Sequence, residues 1–202
     1  MQVQSIKQLD PWRDPKADLW RGVEVESVPL MATPLPMQPT EYIREKWKEK
    51  PYGQTPSVDV QVVRDEREIA FHLSWFSGSK HGKDAAAIAL PVKGNPILVM
   101  MGSRTDPIHF LHWRNDGKPV RSTFSEGIGS TRPGAEVLPG AEAHWSDGRW
   151  RLVITRALGR DAEVAPLIPG QPTKVGFAIW NGANDERAGL KAFSIDWKEL
   201  HL

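Results

Sequence analysis

The clearest hydrophobic pattern in the chain is EIAFHLSWF (68–76), where Ile69, Phe71, Leu73 and Trp75 share one face and Ala70, His72 and Ser74 the other. A period of two over that length predicts a β-strand. VDVQVVR (58–64) lies just before it, joined through Asp65-Glu66-Arg67, and the two predict a hairpin. RWRLVITRAL (149–158) repeats the alternation with Trp150, Leu152 and Ile154, and the preceding Asp147-Gly148 is a strong hairpin-turn signal. AAAIALPV (85–92) and PILVMM (96–101) are apolar on both faces, which predicts central strands covered on each side. TKVGFAIW (173–180) and KAFSIDW (191–197) complete the strand set.

Helix signals are sparse. PTEYIREKWKEK (39–50) is the one good candidate, with Thr40 as N-cap and lysines at its end. PLMATPLPMQP (29–39) is studded with proline and predicts extended loop, and LGRDAEVAPLIPGQ (158–171) predicts a connecting loop. The 17 glycines and 17 prolines are spread along the chain, as expected for many short strands joined by turns. The sum predicts an all-β fold, an antiparallel β-sandwich with long loops and one or two short helices. Residues 1–202 are expected to form one domain, with 29–56 as a loop and helix insertion within it.

Charge narrows the function classes. With 26 basic against 25 acidic residues there is no basic field for nucleic acid. The chain has no cysteine, which removes disulfides, thiolate zinc sites, cysteine-ligated iron–sulfur clusters and covalent C-x-x-C-H haem attachment. No apolar run predicts a membrane span, and MQVQSIKQLDPW lacks the apolar core of an export signal. The start therefore fits either a cytoplasmic protein or a mature form with a new initiator Met1.

Catalytic patterns are weak. No nucleophile elbow or P-loop is present, and GIGSTRPG (127–134) neither follows a clear strand nor opens a helix. His109 and His112 would point to opposite faces of a strand, so they do not predict a shared metal. Acidic pairs such as Glu24/Glu26 and Asp185/Glu186 read as solvated surface. More informative is the end of the run at Met100-Met101-Gly102. A thioether at a strand's last position, with glycine letting the backbone turn closely, can present sulfur to a pocket at the sheet's rim. Thioether is a soft, neutral donor suited to haem iron or copper.

The order of these pieces carries a family resemblance. VQVVRDEREIAFHLSWF (60–76), DAAAIALPV (84–92), PILVMMG (96–102), HFLHWR (109–114) and VGFAIWNGANDERAGLKAFSIDW (175–197) follow one another. In that order they resemble the haem b-binding γ subunits of the type II dimethyl sulfoxide reductase family, which serve ethylbenzene dehydrogenase, dimethyl sulfide dehydrogenase and chlorate and selenate reductases. The resemblance implies a sandwich like that of carbohydrate-binding modules, holding one non-covalent haem b between methionine and lysine. Carried onto this chain, the ligands are Met101 and Lys191, with Met100 as competitor because a one-residue register shift swaps faces.

The family's γ subunit is non-catalytic. It relays electrons between an iron–sulfur β subunit, serving a molybdopterin α subunit, and a soluble c-type cytochrome, in the periplasm. Such a role implies that this chain is a mature form. Around the proposed ligands Trp113, Trp180 and Phe193 are candidate pocket walls, and Arg104, Arg114 or Arg187 candidate partners for propionates. Trp12, Trp20 and Trp47 are candidate exposed docking residues, and the 29–56 segment a docking surface or flap. The rival class is a cofactor-free sugar-binding sandwich that uses surface tryptophans as stacking platforms, because fold does not fix function.

Overall fold

A computed structural model describes residues 1–134, 140–160 and 164–202, so residues 161–163 of the expected 158–171 loop lie outside the described residues. The first strands are β1 (Gln4–Ser5), β2 (Glu26–Pro29), β3 (Met31–Ala32), β4 (Ser57–Arg64), β5 (Glu68–Phe76), β6 (Ala85–Pro91) and β7 (Ile108–Arg114). Then come β8 (Arg121–Ser125), β9 (Thr131–Pro133), β10 (Gly140–Ser146), β11 (Arg149–Ala157), β12 (Pro172–Trp180), β13 (Ala192–Phe193) and β14 (Lys198–His201). They build two mostly antiparallel sheets, a β-sandwich as the alternation predicts. One runs β1-β4-β5-β11-β10 with β2 also on β4, the other β3-β13-β12-β6-β7-β8-β9 with β14 also on β12.

The strongest periodic segments fold as read. β4 and β5 form the expected hairpin, and β10 and β11 turn through Asp147 and Gly148, both at positive φ. Helix α1 (Glu41–Trp47) starts at Thr40, whose hydroxyl accepts the Ile43 N–H. Between the sheets lies the main core, in which Trp75, Trp113 and Trp150 pack with centroids 5.2–6.3 Å apart.

The tryptophans expected to be exposed are not. Trp12 and Trp20 are 9% and 4% exposed and, with Leu9 and Val23, cover the outer face of the first sheet over Val63, Ala70 and Val153. Gln61 holds this N-terminal arm by donating to the carbonyls of Trp20 and Val23, and the Trp20 ring stacks on His72 at 4.7 Å. Trp47 is buried against Tyr52 and Leu190. The large apolar area of an indole is a strong driver of burial, and here these side chains cover one sheet and one loop.

Two expected strands are also corrected. Residues 96–101 are not a strand but a single 3-10 turn, Leu98–Met100. Leu98 and Val99 tuck inward while Ile97 and Met100 stand exposed, so the apolar run follows a turn. A short apolar run does not distinguish strand from helical turn. The 191–197 strand breaks after Phe193, because Ser194 replaces a ladder bond with its side chain: its Oγ accepts the Phe177 N–H at 2.9 Å. Pairing with β12 resumes in β14. The 29–39 loop is extended as read, apart from β3 and a 3-10 turn at Leu35–Met37.

Candidate functional site

The outer face of the second sheet carries a cavity of about 510 Å³. Its floor follows from β6. Ala86, Ile88 and Leu90 enter the core, and the alternate Ala85, Ala87 and Ala89 face outward onto the cavity. Register continues the small-residue paving: Ala89 lies opposite Gly176 and Ala87 opposite Ala178 on β12. On the other side Phe110, His112 and Arg114 of β7 pair with Ala89, Ala87 and Ala85. A segment that looks apolar on both faces thus has a core on one and a cavity floor on the other. Leucine at Ala87 is expected to fill the floor, weakening any flat apolar ligand more than tenfold while leaving the unfolding midpoint nearly unchanged. Ligand titration and thermal melting of Ala87→Leu check this.

Met101 stands on the rim. The Met101 N–H donates to Leu98 O at 2.9 Å and the Gly102 N–H to Ile97 O at 3.2 Å, closing the turn. That puts Met101 at φ 58°, ψ 34°, the left-handed position where a helical turn ordinarily ends in glycine. Gly102 follows at φ +77°, where a Cβ would lie 2.7 Å from the Asp106 carbonyl. The Gly127 N–H holds the Met101 carbonyl at 3.1 Å. Met101 lines the cavity, whereas Met100 is 47% exposed and does not.

Lys191 lines the same cavity, only 7% exposed, with Nζ 5.3 Å from the Trp180 ring centroid. Among the described residues its amine makes no hydrogen bond and no ion pair, and burial pulls its pKa from 10.5 to about 8. The backbone beside it is tightly held, with the Thr33 N–H donating to the Lys191 carbonyl at 3.0 Å. Trp180 is fixed in turn, its indole N–H donating to Ala188 O at 3.1 Å. Among the described residues four non-glycine residues have positive φ (Met101, Asp147, Asp185 and Ala188), and all but the hairpin residue Asp147 line this cavity. Each such conformation costs about 1–3 kcal/mol and tends to cluster where function requires it.

Of the residues expected at a site, Met101, Lys191, Trp180, Phe193 and Arg114 all line this one cavity, as does Arg187. Trp113 does not: on β7 it alternates with His112 and Arg114 and points into the core. Arg104 is exposed in the loop after Met101 and is not part of the lining. The 29–56 segment turns out to be a cavity wall, contributing Thr33, Met37, Gln38 and Pro39.

Sequence reasoning missed two residues here. His112 packs edge-on against Trp180 at 5.0 Å, and burial, followed by the nearby Arg121, Lys191 and Arg114 charges, lowers its pKa to about 4. It is neutral at pH 7. His109, on the opposite face as the strand spacing requires, contacts Ser122 Oγ at 2.8 Å inside the fold. Glu186, expected in solvent, is 4% exposed. Its neighbour Asp185 is exposed and pairs with Lys83 at 2.7 Å. No spacing rule separates two adjacent carboxylates, one inside and one outside.

Comparison with known proteins agrees with this architecture. Solved structures of similar fold include a family 9 carbohydrate-binding module from Caldicellulosiruptor kristjanssonii in complex with glucose. It is 12% identical with a TM-score of 0.58, the match covering 100% of this chain and 94% of that one. A Bacteroides uniformis structure assigned to carbohydrate binding is 10% identical with a TM-score of 0.60, covering 99% and 97%. At such identities these show the fold alone.

Sequence relatives are more specific. Chlorate reductase subunit gamma of Ideonella dechloratans is 32% identical over 159 residues, 73% of this chain and 66% of that protein. Dimethylsulfide dehydrogenase subunit gamma of Rhodovulum sulfidophilum is 26% identical over 200 residues, 91% of this chain and 73% of that one. ORF7 of Haloferax mediterranei, named as a respiratory nitrate reductase heme subunit, is 29% identical over 208 residues, 96% and 70%. The ethylbenzene dehydrogenase family profile matches residues 134–192, a span that contains Lys191. The chain belongs to the gamma-subunit family of the type II dimethyl sulfoxide reductase class of molybdenum enzymes.

Proposed function

We propose that this chain is a non-catalytic electron-transfer subunit, a single domain that would hold one non-covalent haem b, with Met101 and Lys191 as the residues that would ligate its iron. The observation that carries the reading is that a buried, unpartnered amine and a conformationally strained thioether open into one apolar cavity. Its volume falls within the usual range for small-molecule and cofactor sites. The relatives' subunit names support the relay role. When bound, the iron porphyrin supplies a one-electron couple whose potential methionine ligation raises.

The chain's own residues do the rest. An amine must lose a proton before it can coordinate. For an ordinary lysine that costs about 4–5 kcal/mol at pH 7. With the Lys191 pKa near 8, the cost falls to roughly 1.4 kcal/mol. The alanine floor and the Trp180 and Phe193 walls give the donors an apolar surround. Arg114 and Arg187, both in the lining, are the cations available to carboxylates. Among the described residues Arg114 has only a long 3.8 Å pairing with Asp116, so its guanidinium is open to a further partner.

In this reading the subunit sits in a heterotrimer with a molybdopterin α and an iron–sulfur β subunit, and exchanges electrons with a soluble c-type cytochrome. The compartment would be the periplasm. A sugar-binding module on the same fold would need an exposed tryptophan platform, and all nine tryptophans are buried or half-buried.

The deciding experiment is an optical spectrum of the purified chain mixed with hemin, before and after dithionite. A sharp low-spin b-type α band on reduction is expected, and a spectrum no different from free hemin would end the reading. The pH dependence is a second expected result. Below about pH 8 hemin affinity should fall about tenfold per pH unit, because the Lys191 proton must leave, and above it the affinity should level off. Hemin titrations between pH 6 and 9 measure it.

A further inference from the structure

Glu186 is a buried carboxylate that no ion pair among the described residues explains. Its Oε1 accepts the Gly53 N–H at 2.8 Å and the Asn184 side-chain N–H at 3.1 Å, and its Oε2 accepts the Asn181 N–H at 2.9 Å. Three donors and no acceptor converge on it, which suits a carboxylate and not an amide. Asn181 and Asn184 belong to the loop between β12 and Lys191, while Gly53 belongs to the wall segment across from it.

The joint bears directly on Lys191. Gly53 sits at φ +62°, and a Cβ there would lie 2.7 Å from the Lys191 carbonyl oxygen and 2.7 Å from Ala32 Cα. The Thr33 N–H, from the same wall segment, donates to that carbonyl at 3.0 Å. The Tyr52 hydroxyl donates to the Thr33 carbonyl, and burial, followed by the Glu186 charge, raises the tyrosine's pKa. The Lys191 backbone is thus clamped between two points of a segment that Glu186 pins to its own loop. Both Glu186 oxygens are taken up by these three donors, and among the described residues no ion pair joins the carboxylate to the Lys191 amine.

Resting on the haem reading above, we propose that Glu186 is a positioning residue: its carboxylate locks the 32–53 wall onto the 181–191 loop and so aims the Lys191 amine into the cavity. The amine is thereby held in the cavity beside the Trp180 ring, with no hydrogen bond or ion pair among the described residues. Asparagine or glutamine cannot replace the carboxylate, since one amide nitrogen would face an N–H donor.

The full chain tests this with Glu186→Gln and, as a control, Gln61→Ala, which removes a buried anchor under the N-terminal arm on the opposite sheet. In the ligand-free protein, exchange of the Thr33 amide should speed up at least tenfold in Glu186→Gln and stay unchanged in Gln61→Ala. Hemin affinity should drop at least tenfold in Glu186→Gln with a displaced Soret band. Gln61→Ala should lower the melting temperature and leave the spectrum alone. Should Glu186→Gln not fold, Asn184→Ala removes one of the three donors and should speed Thr33 exchange several-fold. Thr33 exchange equal to wild type in these variants overturns the proposal, as does an unchanged hemin spectrum and affinity. If the wild-type chain takes up no hemin, the haem reading fails, and Thr33 exchange alone decides whether Glu186 holds Lys191.

Discussion

Lys191→Leu is expected to make the ligand-free protein more stable by about 3 kcal/mol at pH 7, while abolishing low-spin haem ligation. The gain follows from burial. In the unfolded chain the lysine keeps its ordinary 10.5, and in the fold desolvation lowers it to about 8. Between those values the unfolded chain binds a proton that the folded chain releases, so stability rises with pH across that window. Below about pH 8 both states are charged and the whole penalty stands, at roughly 1.4 kcal/mol per pH unit of separation. Leucine removes the charge without offering a donor, which methionine would not do. Urea unfolding of both proteins at pH 7 and near pH 10.5 measures the effect. The difference should be large at the first pH and shrink at the second. No gain at pH 7, or a gain that ignores pH, would show that the amine is not the buried charge described here.

A site that costs the fold stability is the sort of feature a hydrophobic pattern does not reveal. Alternation in 68–76 and 149–158 predicted β5 and β11 to within a residue, because each has one face in the core and period two records that. The same rule misjudged 96–101, where Gly102 and the Met101 turn, not a sheet, decide which side chains go inside. It gave β6 its strand but not its meaning: Ala85, Ala87 and Ala89 are small because the cavity needs depth, and alanine on a strand carries no such message. Trp113 was misplaced for the related reason that nearness in sequence to the proposed ligands says nothing about which face of β7 it takes. Lys191 was legible only through the family resemblance, since nothing in AGLKAF distinguishes a buried lysine from a surface one. Glu186 was not legible at all. Its three partners come from Gly53, Asn181 and Asn184, and Gly53 lies far away in the chain.

Met101 makes the same trade through the backbone. Its left-handed conformation, φ 58°, costs a residue with a Cβ about 1 kcal/mol or more that glycine avoids. Met101→Gly is therefore expected to be more stable than Met101→Ala by about 1 kcal/mol, the reverse of the usual order. Both variants should lose the low-spin spectrum and bind hemin at least tenfold more weakly, because both lack the sulfur. Met100→Ala should keep the spectrum, since that side chain is 47% exposed and outside the cavity. Paired unfolding curves and hemin titrations of the three variants separate the backbone effect from the ligand effect. If Met101→Ala proved the more stable, the left-handed turn would carry no strain. If instead Met100→Ala lost the spectrum and Met101→Gly kept it, the sulfur would come from the other methionine and the turn would have to be inverted in the loaded protein. With the expected outcome, the fold would be seen to accept strain at one ligand and a desolvated charge at the other, and to recover that stability only when both donors are bound to iron.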